Sequence, residues 1–82
     1  MDYLATFYTH FAAQTFARRL QKQGIESRMM PTPRSVSASC GSCVRFALHG
    51  GFLPLLVEDT EAVYRCGGER YTEVWRHQDV QS

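Results

Sequence analysis

Within its first thirty residues the chain changes apolar period twice, and that confines what it can fold into. Tyr3 to Tyr8 is rich in aromatic and β-favouring residues and predicts a strand. Thr9 is suited to cap a helix N-terminus. After it, Ala13, Phe16, Ala17 and Leu20 recur at the spacing of one face of an amphipathic helix. Gly24 supplies the left-handed residue that closes such a helix, with Ile25 placed for the accompanying apolar contact. Ile25 to Met30 predicts a second strand, stopped by Pro31 and Pro33, neither of which can donate to a ladder. The first half is therefore β-α-β.

The second half is less regular. Val44, Phe46 and Leu48 alternate with Cys43, Arg45 and Ala47, which predicts a third strand with one buried face. Gly50-Gly51 breaks it, and Phe52 to Asp59 predicts a short helix that tolerates Pro54 only in its first turn. Ala62 to Cys66 predicts a fourth strand, Gly67-Gly68 a tight hairpin turn, and Arg70 to Arg76 a fifth strand. The order predicts an α+β fold. It is a ferredoxin-like βαββαβ sandwich with helices on one face, a shortened second helix and an extra C-terminal strand. Residues 1–76 are expected to form the single domain and the polar run 77–82 a flexible tail. A chain of 82 residues has room for one core only, burying about two-thirds of its unfolded surface. A second helix this short leaves sheet surface uncovered, which favours a homodimer or a docked partner.

Charge and cysteine usage narrow the function classes. A formal net charge of +1 gives no sign of a nucleic-acid partner. Arg18, Arg19 and Lys22 fall at the end of the predicted helix, where they complement its dipole. The start has no basic segment followed by a long apolar one, and Phe52 to Val57 is too short to span a bilayer. Three cysteines do not make a secreted disulfide framework. The expected compartment is the cytoplasm, where paired cysteines are more often catalytic, metal-bound or sulfur-handling than structural. No acid–base pair or phosphate-binding glycine loop can be proposed from spacing, so catalysis in its own right is not expected.

Reactive chemistry concentrates at Cys40-Gly41-Ser42-Cys43. A thioredoxin-type dithiol wants a helix directly after the pair, to stabilise the thiolate, and here a strand pattern follows instead. A structural zinc usually announces itself with two such pairs. One is present, so a metal site would have to recruit Cys66 or a histidine among His10, His49 and His77. A third reading is a single activated cysteine, Cys40. The loop offers backbone N–H groups around Gly41 and Ser42, hydroxyls at Ser37, Ser39 and Ser42, and guanidinium groups at Arg34 and Arg45. Nests and neighbouring cations of this kind stabilise sulfur anions. Gly41 also lets another backbone approach Cys40 closely. The fourth reading is a polar turn whose serines satisfy their own backbone and whose cysteines are inert.

The runs Pro31-Thr32-Pro33-Arg34, Ser37-Ala38-Ser39-Cys40-Gly41 and Val44-Arg45-Phe46 together resemble the signature of the selenium/sulfur carrier-like family of small domains. Tyr3 to Phe7 and Val63-Tyr64-Arg65 also match its pattern, so the resemblance covers about residues 3 to 66. It implies a carrier role for Cys40, as acceptor of a persulfide or selenosulfide. Cys43, where the family usually has an apolar residue, would be a resolving thiol, with Arg34, Ser39, Gly41 and Arg45 stabilising the anion. The implied partner is a cysteine desulfurase or another sulfur- or selenium-transfer protein, with no cofactor. The alternatives are a non-enzymatic ferredoxin-like interaction module and a metal-binding domain using Cys40, Cys43 and Cys66.

Overall fold

The computed structural model describes residues 1–78. Strand β1 (Asp2–Phe7) leads into helix α1 (His10–Lys22), followed by β2 (Ser27–Pro31) and β3 (Ser42–Ala47). A 3₁₀ turn at Leu53–Leu55 precedes β4 (Thr60–Gly67) and β5 (Arg70–Arg76). The strands form one sheet in the order β2-β3-β1-β4-β5, with every neighbouring pair antiparallel. The class is α+β, with one α-helix among the described residues and the expected extra strand in place as β5.

Helix α1 begins and ends where its sequence dictates. Thr9 is extended (φ −135°, ψ 156°), and its Oγ1 accepts from the Ala12 N–H at 3.0 Å. At the other end Gly24 takes φ +70°. Its N–H donates to the Gln21 carbonyl at 3.1 Å, and the Ile25 N–H donates to the Leu20 carbonyl at 2.9 Å. That pair of bonds is the Schellman closure, which satisfies carbonyls a helix end otherwise leaves open. Removing the N-terminal cap with Thr9→Ala is expected to cost ~1 kcal/mol. The check is thermal denaturation, where a domain of this size should lose roughly 4–8 °C.

The sheet has two covered faces. On the helix side, Phe16 of α1 packs against Phe7 and Phe46, with ring centroids 5.3 and 5.2 Å apart. Ala13 and Leu20 join them, as do Ala5, Val44 and Val63 from the strands. On the opposite side Leu4, Cys43, Ala62 and Tyr64 form a second buried cluster, covered by Val36 of the β2–β3 connection. The expectation of one buried face for β3 is thereby corrected. Val44 and Phe46 face the helix, and Cys43 is just as deeply buried on the other side. Leu48 lies beyond the end of the strand.

The second helix expected over Phe52 to Asp59 is a single 3₁₀ turn, so the expected two-helix layer is one helix and an irregular crossover. Pro54 stands in the first turn, where its missing N–H costs no helical bond. What forms instead are two i→i+3 bonds, Leu55 N–H to Phe52 O at 2.9 Å and Leu56 N–H to Leu53 O at 3.2 Å. Leu56 is already extended (φ −63°, ψ 143°), which ends the turn, and Asp59 follows at φ +69°. Arg19 of α1 donates to the Leu55 and Leu56 carbonyls at 3.2 and 3.1 Å, tying the crossover to the helix.

The β4–β5 hairpin turns at Gly68-Glu69 rather than at Gly67-Gly68. Gly68 alone takes a positive φ there (+60°), as a type II′ turn requires of its first residue. Of the tail expected over 77–82, residues 79–82 lie outside the described residues. The His77 N–H donates to the Glu61 carbonyl at 2.9 Å. Among the described residues, no helix is long and apolar enough to cross a membrane.

Candidate functional site

The connection between β2 and β3 folds back over the sheet instead of extending into solvent. Its two ends are clamped by Thr32, whose N–H donates to the Gly41 carbonyl at 2.9 Å and whose hydroxyl donates to the Cys40 carbonyl at 3.1 Å. A turn closed by the Val36 N–H on the Pro33 carbonyl (3.0 Å) puts Arg34 and Ser35 at an exposed corner. The same turn presses Val36 onto the second cluster. The loop is a compact one, packed by its own side chains.

A further tether comes from β4. The Ser39 N–H donates to Glu61 Oε1 at 2.9 Å, and the Ser39 hydroxyl to Oε2 at 2.8 Å. Glu61 owes its reach to an irregularity in the ladder. Thr6 pairs with Ala62 and Phe7 with Thr60, so Glu61 is an extra residue opposite neither. Without that bulge, alternation would send the Glu61 side chain towards the helix-side core, beside Val63. Bulges re-aim side chains in this way. The carboxylate is buried, and these charge-assisted bonds satisfy it.

Cys40 is half-buried at the end of this loop, two residues before Ser42, whose hydroxyl lies 3.2 Å from Nδ1 of His10 in the first turn of α1. Gly41 is exposed beside it. Its φ lies outside the left-handed region, and a Cβ there would meet nothing within 4 Å. The local backbone therefore does not require glycine, and the space outside Gly41 is open.

Cys43 is in a different environment. It is 0% exposed, and its thiol donates to the Met30 and Pro31 carbonyls at 3.5 and 3.7 Å. Burial pushes that thiol up to about 11, with the Thr32 hydroxyl pulling the other way. Cys66 lies half-buried on the same sheet face, its thiol raised by burial and lowered in part by the Arg45 guanidinium.

A family model described as "Putative Se/S carrier protein-like" matches residues 2–49. The chain belongs to that family. No curated protein and no solved structure matches it.

The match to the Se/S carrier-like family takes in β1, α1, β2, the loop and β3, and so includes Cys40 and Cys43. It stops before the 3₁₀ turn, Glu61 and Cys66. The residues singled out from the sequence divide into three places. Arg34, Ser39, Cys40 and Gly41 share the loop, and Cys43 lies beneath it. Arg45 extends instead to Asp2, forming an ion pair at 3.1 Å near Cys66. Among the described residues, no group of three or more histidine, cysteine, aspartate or glutamate side chains comes together to hold a metal ion, so Cys40, Cys43 and Cys66 are not one ligand set. Sequence reasoning missed Glu61 and Thr32. Glu61 reads as an ordinary acidic residue before an apolar strand, because a bulge leaves no trace in hydrophobic periodicity.

Proposed function

We propose that this member of the Se/S carrier-like family carries sulfur or selenium on Cys40, as a persulfide or selenosulfide. The observation that supports it most is the contrast between the two thiols of the matched segment. Cys40 is half-exposed on a loop tied down at Thr32 and Ser39, whereas the Cys43 thiol is sealed beneath that loop. In the forward step the Cys40 thiolate attacks the outer sulfur of a donor persulfide. The new S–S bond forms on Cys40, the donor S–S bond breaks, and the donor cysteine leaves as thiolate with no net oxidation. Open space outside Gly41 lets the donor's active site approach. Arg34 and the Gly41 backbone are the groups offered to the anion on the loop itself. Ser39 and Arg45, engaged with Glu61 and Asp2, serve by holding loop and sheet.

The donor class is a cysteine desulfurase or another sulfur- or selenium-transfer protein. The test is intact-mass analysis after incubation with a cysteine desulfurase and cysteine. Addition of one sulfur is expected on the wild type and on Cys43→Ser, and complete loss of it on Cys40→Ser. An adduct that persists in Cys40→Ser would move the carrier role to another thiol and overturn the assignment, and a wild type that takes up no sulfur would favour an interaction module with incidental cysteines.

A further inference from the structure

We propose that Glu61 and Ser39 form a latch that holds the 32–41 loop closed over Cys43, keeping that thiol away from sulfur carried on Cys40. Glu61 lies outside the segment matched to the family while Ser39 lies inside it, and the latch deepens the carrier reading, on which its chemical consequence rests. Three features support it. Glu61 is the extra residue of the β1–β4 bulge, so the strand departs from its ladder where the carboxylate must reach the loop. The carboxylate is buried, and both its oxygens accept from Ser39, one from the backbone and one from the hydroxyl. Val36, carried on the loop that Ser39 anchors, lies over Cys43.

With the latch closed, Cys43 is fully buried and its thiol donates to backbone carbonyls of β2. With it open, Cys43 as thiolate attacks the Cys40 sulfur of the Cys40 persulfide. A Cys40–Cys43 disulfide forms, the bond to the outer sulfur breaks, and that sulfur leaves as hydrosulfide with the bonding pair. The Cys43 proton goes to solvent. The disulfide retains the oxidation level the persulfide held, so no external oxidant is needed. Glu61 is a positioning residue in this scheme: it touches neither cargo nor thiol.

The test compares wild type, Glu61→Ala, Ser39→Ala and the conservative Glu61→Gln. Native labelling by iodoacetamide is followed separately at each cysteine by mass spectrometry. Losing a charge-assisted bond should raise the Cys43 labelling rate by about tenfold or more in Glu61→Ala, with Cys66 unchanged. Glu61→Gln, which keeps one acceptor, should fall between. Ser39→Ala retains the backbone bond and serves if Glu61→Ala does not fold. Cys43 labelling that is unchanged, or that rises in step with Cys66, would overturn the latch, because general loosening moves both. In a second arm Cys40 is loaded with sodium polysulfide and hydrosulfide release is timed. Faster release with disulfide formation in the variants supports the proposal, and equal retention in all proteins overturns it. A wild type that takes up no sulfur while Cys43 labelling still rises selectively would remove the carrier reading and leave the latch standing.

Discussion

Phe16→Ala is expected to lose about 3–5 kcal/mol of folding stability, a large share of the margin of the domain. A chain this size has only about 4–12 kcal/mol to lose. The large value follows from the reduced helix layer. With the second helix replaced by a 3₁₀ turn, α1 supplies the buried aromatic contact at the middle of the sheet through Phe16, and Phe52 of the crossover adds a tilted contact with Tyr3 at 5.3 Å. The Phe16 ring is fully buried between Phe7 and Phe46. Truncation leaves a cavity in the middle of the layer, and neither flanking aromatic can collapse into it while held in its strand. Urea unfolding checks this, with a lower midpoint and an unchanged slope. A loss under about 1 kcal/mol would mean that the helix is not docked through this side chain.

Alkaline pH should destabilise the domain well before the backbone is stressed by base. The Cys43 thiol is pushed from its ordinary 9.0 up to about 11 by burial. Below pH 9 both folded and unfolded chains keep the proton, and the stability is intact. Above it the unfolded chain releases the proton while the folded chain holds it, so unfolding gains free energy as pH rises. The loss is complete near the folded value of about 11 and amounts to roughly 2–3 kcal/mol for this one thiol. Tyr64 and Cys66, also raised chiefly by burial, act in the same direction. Denaturant midpoints measured from pH 7 to 10.5 should fall steeply in the wild type and less steeply in Cys43→Ala. Equal slopes for the two proteins would show that Cys43 is not the buried acid described.

The first half of the molecule was legible because its signals are local. The Thr9 cap, the Ala13-Phe16-Leu20 stripe and the Gly24 closure each act within a turn or two, and each sits where the sequence placed it. Alternation also assigned Cys43 correctly to the face opposite Val44 and Phe46. It could not say what covers that face, because the cover is Val36, one apolar residue in a polar loop with no period of its own. The helix expected at Phe52 stops after one turn at an extended Leu56, with Pro54 in the first turn where it is tolerated. The loop and its two thiols were legible, but the tether of Ser39 to Glu61 was not. Glu61 reaches Ser39 only through a ladder irregularity that depends on pairing across the sheet.

The position of β1 at the centre of the sheet sets the order in which the chain can become a protein. Leu4 pairs with Arg45 on one side and with Tyr64 on the other, so the first strand synthesised has both its neighbours far downstream. Closing loops of that length precedes any reward from the contacts, which places folding among the slower topologies for its size. On the ribosome, β1 cannot complete its pairing until β4 has emerged, and Glu61, which tethers Ser39, emerges with that strand.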